Sequence, residues 1–440
     1  MFHFSFSILR YYMSVIFLFL VIISLTGCSG IAKGITEAVI GDSSKQDTKK
    51  CYIRGRPFAG LKTIMTAERD QQVTEPKSLK ILMVHGIGTH APGYSTRLAE
   101  NLAVKLRLNR IDEQTKELKL TDNAGSEREL GILRLNRYMS TDFSQELVFA
   151  ELTWDPIVEK EKQGIAFDNS GEYSFRRTTL NNSLKEFVNA TIPDVLMYNG
   201  SSRLPIQLAI GQSMCWLMNE RWGDIPERGK FFCDGNGPKS LSRIQDDFVF
   251  ITHSLGSRIT VDALQLIASA VSEKALTDPS FVEKMRLLHE KEFTVFMLSN
   301  QLPLLQLGRP EPGVTGKIRE LCGSKAVKQE QRMFKETKLI AFSDPNDLFS
   351  YAIPGTFLDE HMDSRLCPSL TNVIINVADV VSLFGGELAN PLSAHTNYDN
   401  DERVLGLLTK GIGGIETDPS VKKNCTWLET VPNYSLDGQK

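Results

Sequence analysis

The chain reads as an α/β protein built on a mostly parallel sheet, and three observations predict it. Short apolar runs such as Lys80-Ile81-Leu82-Met83-Val84 are continuous instead of alternating, the mark of strands buried on both faces. Segments with apolar residues at helical spacing lie between those runs, and strands that alternate with helices form parallel crossovers. With 440 residues, 41% hydrophobic and 23% charged, the chain can bury a substantial core in one elaborated domain or two ordinary ones.

The same composition excludes several classes. Fifty Lys and Arg against 53 Asp and Glu leave a formal charge of −3, which offers nucleic acid no electrostatic footprint. No long repeat period and no sustained heptad run is visible, which argues against solenoids and coiled coils.

Residues 1–27 read as a targeting segment. Arg10 precedes the apolar run from Val15 to Ile23, and Leu25-Thr26-Gly27-Cys28 follows. The run is short for a spanning helix of ~20 residues and ends in small residues. These four residues resemble the bacterial lipoprotein processing box, which implies cleavage before Cys28 and a lipid anchor on its sulfur. Ser29 stands where inner-membrane retention signals place Asp, so the resemblance implies an outer-membrane address in the bacterial cell envelope. Residues 28–77 follow as a tether and N-terminal arm.

Six further cysteines fit an exported protein: Cys51, Cys215, Cys233, Cys322, Cys367 and Cys425. They permit three disulfides, and the favoured pairs are Cys215–Cys233 within one inserted segment and Cys51–Cys425 tying arm to tail. No clustered Cys/His spacing suggests structural zinc.

The main core begins at residue 78. After the first strand comes His85-Gly86-Ile87-Gly88, then a helix over about 95–108 with Leu98, Leu102, Val104 and Leu106 at helical spacing. A polar stretch, 109–129, interrupts before a strand at 146–154. Residues 155–247 break the rhythm as an inserted cap, with an apolar helix over 204–218. From 248 to 410 the rhythm returns: a strand at 247–252 runs into it, then come a helix over 258–271 and strands at 293–298, 338–342 and 372–377. Residues 411–440 form a polar tail.

Thr252-His253-Ser254-Leu255-Gly256 lies between a strand and a helix. Such a turn projects a serine hydroxyl from the top of the sheet, where the following N–H and the helix N-terminus face a developing oxyanion. Thr252 departs from the G-x-S-x-G pattern at its first position. With the His-Gly pair after an early strand, these residues resemble the α/β-hydrolase superfamily, and within it lipase-like serine esterases. The resemblance spans 78–410 and implies a mostly parallel central sheet, helices on both faces and an inserted cap.

It also implies an order of nucleophile, acid and base. Ser254 is then the nucleophile, with Leu255 and Ile87 N–H groups as the oxyanion hole. After the strand at 338–342 stand two carboxylates, Asp344 and Asp347; Asp347 is preferred as triad acid, leaving Asp344 to cap the turn. After the last strand, His395 is the expected base. His85 and His253 are read as packing residues of their turns. No metal or organic cofactor is implied, and the expected substrate is a carboxylic ester, a phospholipid or acylglycerol of the envelope. A non-catalytic envelope scaffold on a hydrolase fold is the rival expectation.

Overall fold

A computed structural model of the chain describes residues 50–66, 77–121, 125–169, 177–227, 246–383, 386–414 and 416–431. The expected leader, Cys28 and Cys233 lie outside them.

The strands are β1 (Cys51–Gly55), β2 (Phe58–Ala59), β3 (Lys77–Val84), β4 (Asn109–Thr121), β5 (Glu127–Met139), β6 (Gln145–Thr153) and β7 (Asp247–His253). They continue as β8 (Glu292–Leu298), β9 (Glu336–Ser343), β10 (Pro368–Ile375), β11 (Val380–Leu383), β12 (Gly386–Ala389), β13 (Gly411–Ile412) and β14 (Cys425–Leu428). The principal helices are α1 (Leu61–Thr66), α2 (Thr96–Leu106), α3 (Glu159–Ala166), α4 (Thr179–Tyr198), α5 (Arg203–Asn219), α6 (Leu255–Ala275), α7 (Pro279–Leu288), α8 (Pro391–Thr396) and α9 (Glu402–Lys410).

Ten strands make one sheet in the order β14-β1-β10-β9-β8-β7-β3-β6-β5-β4. From β10 to β6 every neighbour is parallel, and the outer pairs β1·β10, β6·β5 and β5·β4 are antiparallel. Continuous apolarity has the expected consequence along β3: Leu79, Ile81 and Met83 enter one core, while Leu82 and Val84 enter the other. α2 buries Leu98, Ala99, Leu102, Ala103 and Leu106 along one stripe of the second core. The chain leaves β3 for β6 on one side and then crosses to β7 on the other. The two loops diverge there, and such a switch point opens a crevice beyond the carboxyl ends of the strands.

Residues 109–129, read as a polar interruption, instead build most of a long hairpin, β4 and β5. β4 is an edge strand whose first residues are exposed, so its sequence lacks an apolar signature. The arm and tail also contribute to the sheet, because β1 lies between β10 and β14 with Cys51 and Ile53 buried. The Cys51–Cys425 disulfide joins those strands as expected, and Cys322–Cys367 forms a second. Cys215 is also disulfide-bonded.

In the inserted segment, α5 buries Ile206, Ala209, Ile210, Met214, Trp216 and Leu217 in the same core as Phe250 and Ile259. This stretch therefore packs onto the sheet layer. No helix among the described residues is long and apolar enough to cross a membrane.

Candidate active site

Ser254 occupies the turn between β7 and α6 with φ 55° and ψ −125°. A non-glycine residue at positive φ is costly by about 1–3 kcal/mol and persists only where its surroundings hold it. Two glycines make those surroundings possible. A Cβ on Gly256 would lie 2.4 Å from the Val84 carbonyl oxygen, and a Cβ on Gly86 would lie 2.5 Å from Ser254 Cβ. The Ser254 N–H bonds the Leu298 carbonyl at 2.9 Å, pinning the turn to β8. Thr252 fits in place of a glycine: it is fully buried and its hydroxyl donates to the Phe296 carbonyl at 3.3 Å.

Leu255 opens α6, so its N–H belongs to the first turn, where helix N–H groups lack intrahelical acceptors. Ile87 lies on the loop after β3 between Gly86, which touches Ser254, and Gly88, at φ 107°. The Gly88 N–H donates to Asp194 Oδ2 at 2.7 Å, and Asp194 is a buried residue of α4. An inserted helix thus grips the loop that carries Ile87.

Asp347 and His395 meet. His395 Nδ1 lies 3.0 Å from both Asp347 carboxylate oxygens. Asp347 Oδ1 also accepts the Phe349 N–H at 3.0 Å. Burial pushes the Asp347 carboxyl up, but the contacts from His395 and Ser299 outweigh it and hold the group below its ordinary range. With Nδ1–H directed at the carboxylate, the other ring nitrogen is left as the basic one. Asn390 caps α8, the helix that bears His395, by accepting the Leu392 N–H at 2.9 Å.

Asp344 is engaged differently. Its Oδ1 accepts the Asn346 N–H at 2.8 Å and its Oδ2 the Val377 N–H at 2.7 Å, so it clamps the turn after β9 to the loop after β10.

Two further residues support the pair. Ser299, at the end of β8 with φ 51°, donates from Oγ to Asp347 Oδ2 at 2.6 Å and lies 2.9 Å from His395 Nδ1. A polar pair directly after an apolar strand, Ser299-Asn300, was its one legible signal. His253 is half-buried, and desolvation foremost lowers its pKa to about 3. The neutral ring places Nε2 2.7 Å from the His395 carbonyl oxygen, where it donates and braces α8 from beneath.

Ser254 and Asp347 are thus carried on the turns after β7 and β9, and His395 on α8, which follows the β11–β12 hairpin. Ser254 is fully buried, and its Oγ hydrogen-bonds to nothing among the described residues. The contact from Ser254 to His395 is not formed in this conformation.

Comparison with known protein families, curated proteins and solved structures finds no match for this chain. The α/β architecture with a large, mostly parallel sheet therefore stands on the strand order alone.

Proposed function

We propose that the protein is a serine hydrolase of carboxylic esters, with Ser254 as nucleophile, His395 as general base and Asp347 as the carboxylate that orients the imidazole. The observation that carries this reading is the pairing of His395 with the buried Asp347 at the same end of the sheet as a serine held at positive φ. Strain at an observed outlier is a reason to suspect function, and here it coincides with a complete acid–base pair.

In the reaction, His395 takes the Ser254 proton as Oγ attacks the acyl carbonyl. Leu255 and Ile87 N–H groups receive the oxyanion, and the alcohol leaves with the proton from His395. Water, activated by the same histidine, then hydrolyses the acyl-enzyme.

The lipobox-like Leu25-Thr26-Gly27-Cys28 supports an envelope address through a lipid on Cys28, and with it lipid or acyl esters as substrates. The hydrolase superfamily assignment rests on the elbow, the His-Gly loop and the residue order.

The test is hydrolysis of short- and long-chain p-nitrophenyl esters together with labelling by a fluorophosphonate. Wild type should react and Ser254→Ala should not. If both proteins are inert and the probe leaves Ser254 unlabelled, the non-catalytic scaffold becomes the better reading.

A further inference from the structure

A second group of ligating side chains surrounds the loop after β3. His85 is buried, and its Nδ1 lies 2.9 Å from the Gly86 carbonyl oxygen. A ring nitrogen facing a carbonyl must donate, so Nδ1 carries the proton and Nε2 presents a lone pair. That lone pair faces Asp155 Oδ2 at 3.2 Å. Asp155 Oδ1 accepts the His90 N–H at 3.2 Å, whereas Oδ2 has no hydrogen-bond partner. His90 Nδ1 lies 3.9 Å from the same Oδ2 and is also buried without a partner.

Two acceptors 3.2 Å apart in the protein interior repel unless a proton or a cation lies between them. The ligand atoms of His85, His90 and Asp155 all fall within 4.8 Å of one another. Around a tetrahedral ion with bonds of roughly 2.0–2.1 Å, ligand atoms stand about 3.3 Å apart. Closure therefore asks only for a modest approach of His90, a side chain 23% exposed on a loop. His90 stacks on His85 with ring centroids 4.1 Å apart, so its ring must tilt toward Asp155 to ligate.

The surroundings suit a cation. The Nδ1–H of His85 on a backbone carbonyl is the outer contact that fixes the tautomer of a metal-bound histidine. The Trp154 N–H reaches Nε2 at 3.2 Å, a long bond that a metal–nitrogen bond would replace. Lys162, the cation whose field reaches the cluster, is itself paired with Asp194 at 2.7 Å. Two imidazoles and one carboxylate with a fourth position open suit zinc better than calcium or magnesium, which prefer oxygen.

We propose that His85, His90 and Asp155 form a binding site for a divalent transition-metal ion, zinc foremost, that fastens the loop after β3 to the end of β6. Ion binding there needs no chemistry at Ser254. Its mechanical effect is to tie both ends of the loop bearing Ile87 to the residue that follows Trp154.

Untagged full-length protein in detergent, stripped with a chelator, is titrated with zinc chloride against a chromophoric competitor. Wild type should bind about one equivalent, and zinc should raise its melting temperature. His90→Gln and Asp155→Asn should bind at least tenfold more weakly, while Ser254→Ala binds as wild type does. His90→Gln alters a partly exposed loop side chain, and far-UV circular dichroism checks that both variants fold. Wild type that takes up no zinc overturns the site outright, and leaves a proton shared by His85 and Asp155 as the occupant. Equal binding by wild type and both folded variants overturns it as well, because the zinc then sits elsewhere.

Discussion

Gly86 and Ser254 are in contact so close that no side chain fits between them: a Cβ on Gly86 would lie 2.5 Å from Ser254 Cβ and 3.0 Å from its Oγ. Gly86→Ala should therefore displace either the strained serine or the loop bearing Ile87. A stability loss of about 1–3 kcal/mol is expected from overpacking. Esterase activity should fall much further than that loss explains. Thermal melts beside kcat/KM measurements check both, and unchanged activity would count against an oxyanion role for this loop.

Asp347→Asn keeps the shape of the carboxylate but can present an N–H to His395 Nδ1, which spoils the tautomer the reaction needs. A fall in kcat of about 10³–10⁴-fold is expected, with KM little changed. Asp344→Asn should act instead through stability, since Asp344 holds backbone N–H groups and does not touch His395. Steady-state kinetics on the two variants distinguish the carboxylates.

Ser299→Ala removes one hydroxyl bond to the Asp347 carboxylate and a contact with His395. Hydrogen bonds to charged groups contribute about 1.5–3 kcal/mol, so kcat should fall roughly ten- to a hundredfold. The Asp347 carboxyl should also titrate higher, because one of the contacts holding it down is gone. Titration of the Asp347 carboxyl carbon by NMR, compared with wild type, reads that change.

Acid stability should depend on Asp262. This fully buried carboxylate of α6 contacts Arg258 at 2.7 Å and Arg309 at 2.6 Å, and accepts the Tyr198 hydroxyl at 2.7 Å. Burial pushes its pKa up, but the two guanidinium groups outweigh burial and leave it depressed. A depressed carboxylate stabilises the fold above its unfolded pKa of about 3.9, and loses that contribution as pH falls through its lower folded value. Asp262→Asn should cost about 3–5 kcal/mol at neutral pH by leaving buried cations unpaired. The melting-temperature gap to wild type should narrow below about pH 4. A gap that stays constant to low pH would show that the charge of Asp262 is not what matters.

Reduction of the Cys51–Cys425 disulfide should cost about 2–5 kcal/mol, because it closes a loop of 374 residues in the unfolded chain. Melts with and without reductant, compared with the double variant Cys51→Ala/Cys425→Ala, test this.

The parallel part of the sheet was legible because β3, β7, β8 and β9 are buried on both faces and so carry unbroken apolar runs. The meeting of Asp347 with His395 followed from their order after successive strand ends. What stayed hidden has equally physical causes. β4 runs along an exposed edge, so nothing in its composition distinguishes it from a loop. Ser299 acts through a backbone at positive φ and partners 48 and 96 residues away, neither of which leaves a local pattern. His85, His90 and Asp155 come together only because β3 and β6 are neighbours, and their spacing of 5 and 65 residues resembles no ligand motif.

β1 and β14 pair in parallel at one margin of the sheet, and the Cys51–Cys425 bridge turns everything between them into a covalent ring. A protease that nicks any single surface loop within that ring releases no fragment. Both cut ends stay on one molecule, held by the Cys51–Cys425 bond.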